Sequence, residues 1–332
     1  MRTRLYLAFV LTAFATACAA ANGTPSQPSV TLGPTDPTTT DDLQAQIATE
    51  SEDPEGKEVT YTWEWTVDGL VREEFLDKTT IPAASTRKGE TWKVTLTPRD
   101  NHGATGPSAS AKLTIGNTPP TGTVELTPES PLTTDPIEAI TTTADINDDK
   151  VDMILSWYLE KNPVPEYDGF VTLPADATAK GDTWTVKAIP DDGDENGTGD
   201  AVEASVTIGN SGPSISEVIL GPENPAEGTS IEVTFTTDDP DGDTVDTTLN
   251  WHLNGEIIPD HTDTTLSSEM FNKGDVIYVE ATPTDGELVG TTRKSNSIVS
   301  INTPPSITEA TIDPPTGTEA TTFTCTPGGW LD

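Results

Sequence analysis

The chain has 332 residues, enough for two or three ordinary domains. Its 17 Lys and Arg against 55 Asp and Glu leave a net charge of -38, which repels nucleic acid and anionic membrane surfaces and attracts divalent cations. Seven Trp set among regular strand-like runs argue against a disordered acidic chain, and abundant Thr, Pro, Gly and Asp without long amphipathic runs favour short strands joined by turns.

Residues 1–21 read as an export signal. Arg2 and Arg4 make a positive start, Leu5 to Phe14 an apolar segment, and Ala15-Thr16-Ala17 a small-residue cleavage site. Cys18 follows at once, and the segment resembles a bacterial lipoprotein signal, which implies lipidation of Cys18; Ala15 stands where that signal usually has Leu. Ordinary secretion, with cleavage after Ala17 or Ala21, is the alternative. Either way the chain is exported, to the cell surface or outer membrane or to the medium, and only a lipid on Cys18 would hold it to a membrane.

Beyond the signal, apolar residues alternate. Leu43, Ala45 and Ile47 share one face of a strand. Trp63, Trp65 and Val67 share a face of the next, Asp68-Gly69 turns a hairpin, Trp92, Val94 and Leu96 follow, and Leu113 and Ile115 close the set. Such alternation marks half-buried antiparallel strands. The set then recurs: Leu155, Trp157, Leu159 and Leu249, Trp251, Leu253 match the first tryptophan strand. Lys88-Gly89-Glu90-Thr91-Trp92 is matched by Lys180-Gly181-Asp182-Thr183-Trp184 and Lys273-Gly274-Asp275-Val276-Ile277. The linkers Asn117-Thr118-Pro119-Pro120, Asn210-Ser211-Gly212-Pro213 and Asn302-Thr303-Pro304-Pro305 end on prolines 93 and 92 residues apart. A period of this length is an array of units, each large enough for its own core.

The division expected is therefore a signal at 1–21, repeats at 22–118, 119–211 and 212–303, and an incomplete repeat at 304–332. In the last, Ile312, Phe323 and Cys325 match Leu220, Ile231 and Val233, and the chain stops where an acidic loop should begin. Six of the seven Trp fall on inward parity or at equivalent positions, so core packing is expected rather than sugar stacking. Asp-Glu pairs are too common here to mark a catalytic pair. His102, His252 and His261 lack zinc-ligand spacing, and His252, beside Trp251 on the opposite face of its strand, is expected to be solvated. No nucleophile elbow or phosphate loop is present, and no enzyme is expected.

Acidic loops remain. Asp239, Asp241 and Asp243 alternate in DDPDGDTVD, as do Asp145, Asn147 and Asp149 one repeat earlier; the first repeat has Asp53, Glu55 and Lys57, with a cation in third place. In a sandwich this loop shares a pole with the loop joining the last two strands, which carries Asp191, Asp192, Asp194 and Glu195 in the second repeat and Asp285 and Glu287 in the third. Together they could supply the oxygen ligands calcium takes; the alternative is plain acidic turns. Calcium is expected at Asp145, Asn147, Asp149, Asp191 and Asp194 and at Asp239, Asp241, Asp243 and Asp285, and poorly or not at all in the first repeat.

The DPDGD before a Trp-centred strand, the KGDxW turn, the TPxDG segment and the closing VTIxNxxP resemble the immunoglobulin-like and PKD-like repeats of large exported bacterial surface proteins. Where PKD domains carry FGDG after the Trp strand, Trp65-Thr66-Val67-Asp68-Gly69 stands here. The resemblance implies an all-β fold of tandem immunoglobulin-like antiparallel β-sandwiches with a truncated last repeat. It also implies an inward position for Cys325 with a disulfide partner further along the chain. The function expected is a non-enzymatic adhesion or spacer rod with an unnamed protein or polysaccharide partner. The alternative is a carbohydrate-binding appendage of a larger exported enzyme.

Overall fold

The computed structural model describes residues 22–226 and 228–331; the export signal and Cys18 lie outside the described residues. The described chain is all-β, its strands joined by turns and short 3-10 segments. In the first repeat, Ser29–Gly33, Leu43–Thr49 and Thr80–Ile81 form one antiparallel sheet in that order. Leu70–Val71, Val59–Val67, Thr91–Asp100 and Ala109–Thr114 form the other. Leu43, Ala45 and Ile81 from one sheet meet Trp65, Trp92, Val94 and Leu96 from the other in a single core. Register explains why alternation suffices: Trp63 pairs with Leu96, Trp65 with Val94 and Val67 with Trp92, so inward residues lie beside inward residues.

The second repeat has the same strand order, with sheets Thr172–Leu173, Ile137–Ala144, Thr121–Thr127 and Asn162–Pro163, Asp152–Leu159, Thr183–Asp191, Val202–Thr207. In the third, Ile219–Gly221, Ile231–Thr234 and Thr265–Leu266 face Glu256–Ile257, Asp246–Leu253 and Val276–Thr284, the last pairing with both Arg293–Lys294 and Ile298–Val299. These are immunoglobulin-like β-sandwiches in tandem. Each hides a tryptophan whose indole N–H needs an acceptor, and each supplies one from the backbone: Trp65 donates to Lys78 O (2.8 Å), Trp157 to Phe170 O (2.9 Å) and Trp251 to Asp263 O (2.9 Å). The hairpin turns at Asp68-Gly69 and Asn254-Gly255 have positive φ at both residues, the geometry that matches the strand twist.

By compactness the backbone falls into two units, and the division runs through the second repeat. One unit takes the chain up to Thr123 with Thr142–Ile154 and Ala188–Val202; the other takes Val124–Thr141, Leu155–Lys187 and the chain from Glu203 on. Two expectations are corrected. His252 is not solvated: it is 7% exposed, stacked on Tyr278 with ring centroids 4.3 Å apart, because the outward face of this sheet is itself covered by long side chains. Cys325 is free and exposed on the two-stranded sheet of Ser306–Asp313 and Thr324–Leu331, opposite an exposed Ile312, because no second layer covers that sheet among the described residues.

Candidate cation sites at the repeat poles

The acidic loops fold by the same local rule in all three repeats. The first Asp turns one oxygen back onto its own loop: Asp53 Oδ1 accepts from the N–H of Glu55 (2.9 Å) and Lys57 (3.0 Å). Asp145 Oδ1 accepts from Asn147 (2.7 Å) and Asp149 (3.0 Å), and Asp239 Oδ1 from Asp241 (2.9 Å) and Asp243 (3.2 Å). This is the turn-forming habit of Asp. The position before the third residue of each triplet takes positive φ, at Gly56, Asp148 and Gly242, which is why glycine suits DPDGD.

The middle residue of each triplet then holds the linker. Glu55 accepts the N–H of Gly23 (3.2 Å), Asn147 Oδ1 that of Thr118 (3.0 Å) and Asp241 Oδ2 that of Ser211 (2.6 Å). The linker asparagine is held by the second loop: Asn22 donates to Asp100 (2.7 Å), Asn117 to Asp192 (2.7 Å) and Asn210 to Asp285 (2.8 Å). Both loops and the linker thus converge on one pole three times over.

Two poles bring three carboxylates within ion-binding reach, with one oxygen from each lying within 4.8 Å of the others: Asp145, Asp149 and Asp192, and Asp239, Asp241 and Asp243. Buried oxygens without a hydrogen-bond partner accompany both: Asp145 Oδ2 and Asn117 Oδ1 at the first, Asp239 Oδ2, Asp241 Oδ1 and Asn210 Oδ1 at the second. An unmade bond at such an atom costs about 1–3 kcal/mol, so these oxygens fit a hard cation, which takes oxygen ligands only. At the first repeat's pole Asp53 Oδ2 is likewise unpartnered, but among the described residues no group of three acids forms there.

Not every expected ligand joins. Asp191 accepts the N–H of Gly193 (2.8 Å) and stays outside, while its neighbour Asp192 enters. Asn147 spends its amide on Thr118 and Thr39. Asp285 is taken by Asn210 and by the N–H groups of Glu287 and Leu288. Asp194 is bound by Lys88, which also binds Asp149; one repeat on, Lys180 binds Asp243 and Glu287 (2.9 Å each). The lysines and the linker asparagines were visible in the repeat alignment as constant residues, yet only contact across a junction gives them a role.

The electrostatics follow. Lys88 and Lys180 hold their protons more tightly than a free lysine, through hydrogen bonds to Asp149 and Asp194 and to Asp243 and Glu287. Burial pushes the Asp192 carboxyl up, but the Asp194 N–H, Asn117 and the Lys88 charge outweigh it, and the group lies below its ordinary value. Asp285 is also lowered, by the Leu288 N–H first and then by Asn210.

No family model and no curated protein matches the chain. Among solved structures it is similar to the FN1–FN3 domains of chicken CNTN1, at 10% identity over 84% of this chain and 100% of that one, TM-score 0.27. It is also similar to the three N-terminal domains of the highly immunogenic outer capsid protein of bacteriophage RB49, at 16% identity over 84% and 99%, TM-score 0.29. A third likeness is to a Ca2+-stabilized adhesin with which an Antarctic bacterium binds ice, at 13% identity over 89% and 77%, TM-score 0.28. Two of the three are runs of three domains. At such identities and scores they say nothing of a ligand, and the reading of this chain rests on its own residues.

Proposed function

We propose that the chain is an exported, non-enzymatic array of immunoglobulin-like repeats that works as an adhesion or spacer rod, with calcium bound at the poles of the second and third repeats. The observation that carries the calcium reading is the pair of carboxylate triads flanked by buried, unpartnered oxygens. Asp145, Asp149, Asp192 and Asn117 would hold one ion; Asp239, Asp241, Asp243 and Asn210 the other. An ion there would sit against the linker, stiffening one repeat against the next, which is the property a spacer needs. The six described-core tryptophans, Trp63, Trp65, Trp92, Trp157, Trp184 and Trp251, are all buried, so none offers the exposed platform that the carbohydrate-appendage reading requires. Among the described residues no helix is long and apolar enough to cross a membrane; export rests on the N-terminal signal, and the rod's partner is a protein or polysaccharide surface.

Calorimetric titration of the exported chain with calcium tests this. Affinity is expected near ~10⁻⁴ M, as in extracellular modules, adding about 1.4 kcal/mol per site at about 1 mM calcium by mass action. X-ray scattering should show a longer, stiffer particle with calcium than with chelator. Absence of heat, or two sites still filled in Asp241→Asn with Asp243→Asn where one is expected, would return the third-repeat pole to an ordinary acidic turn.

A further inference from the structure

Each carboxylate triad already meets one cation from its own chain. Lys88 of the first repeat reaches Asp149 and Asp194 of the second, and Lys180 of the second reaches Asp243 and Glu287 of the third. In both cases one acceptor belongs to the carboxylate triad, Asp149 in one and Asp243 in the other. The unpartnered oxygens of Asp145, Asn117, Asp239, Asp241 and Asn210 lie beyond what the lysine satisfies. The equivalent third lysine supplies an internal comparison. Lys273 has no acidic loop after it among the described residues, and its ammonium falls instead on Asn302 Oδ1 (2.9 Å), the linker asparagine oxygen that stays unpartnered at the two earlier junctions.

We infer that the lysine of each Lys-Gly-acid turn and a divalent cation compete for the pole of the following repeat, so that one repeat sets the cation affinity of the next. The inference rests on the calcium reading above. The physical ground is the shared carboxylate. With the ammonium in place Asp149 or Asp243 is partly neutralised, and an incoming divalent ion is repelled by a positive charge nearby. At about 5 Å in a water-like dielectric that repulsion is worth roughly tenfold in affinity, less as salt screens it. By reciprocity the ion must loosen the lysine by the same factor. The junction is then held by the ammonium when calcium is scarce and by calcium when it is plentiful.

The test uses the full exported chain as wild type, Lys88→Met, Lys180→Met and the double variant, the methionine keeping much of the apolar stem without its charge. Calcium titration should show one site about tenfold tighter in each single variant and two in the double. Acetic anhydride labelling read by mass spectrometry should find Lys88 and Lys180 more reactive with calcium than with chelator, and Lys93, within the strand Thr91–Asp100 and part of neither triad, unchanged. Equal affinities in all four chains, or weaker ones in variants with unaltered circular dichroism, would overturn the competition and leave calcium binding standing. Heat in the variants alone would support the competition while overturning calcium binding by the native chain. No heat in any chain would overturn both.

Discussion

The indole of Trp157 is fully buried, packs edge-on against Trp184 with centroids 6.4 Å apart, and donates its N–H to Phe170 O. Trp157→Ala removes that volume and orphans a carbonyl. It should cost about 3–5 kcal/mol, comparable to a domain's whole margin, and abolish the second repeat's transition in a thermal melt. A near-neutral variant would mean the side chain is not in the core. Alternation alone placed Trp157 inward, because a period of two puts every second residue on one face whatever the neighbours are. His252 shows where parity fails: it marks the outward face, yet outward is not exposed once Tyr278 lies over the ring and Lys294 sits 3.4 Å from the tyrosine centroid.

At the scale of the loop, the poles should be acid-sensitive. The folded Asp192 and Asp285 carboxyls titrate below the ordinary aspartate range. A folded value below the unfolded one contributes stability that is present above about pH 4 and lost as pH falls through the folded value. Melting temperature should therefore drop below about pH 4, and Asp192→Asn should flatten that acid limb. An identical limb in the variant would show that the carboxylate does not carry it. The lysines act in the other direction: their raised values make their contribution complete at neutral pH and lost only on strongly alkaline titration. The triplets themselves were legible, since Asp, Gly and Asn at alternating positions announce a turn. The entry of Asp192 in place of Asp191 was not, because adjacent residues in a loop differ only in which way the backbone aims them.

Across the whole chain, protection from protease should follow what the linkers touch. The Ser306–Asp313 strand is exposed throughout, and its partner strand belongs to a sheet of two, so this segment should be digested first. The linker amides of Thr118 and Ser211 are tied to the poles, so cuts near Pro119 and Gly212 should come later and faster in Lys88→Met and Lys180→Met respectively. Fragment masses over a trypsin-free time course, with a protease of broad specificity, check both points. A tail that outlasts the linkers would contradict the packing described.

The fold class and the recurrence of its landmarks were settled by sequence alone. Binary alternation, tryptophan spacing and Gly-containing hairpin turns are local signals, each readable within a few residues. The long-range pairings were decided by the tertiary structure. Lys88 lies 61 residues from Asp149 and Asn117 lies 75 from Asp192, separations across which no periodicity speaks. Those contacts depend on how the end of one sandwich meets the loops of the next, which turned a constant turn lysine and a linker asparagine into parts of an ionic site.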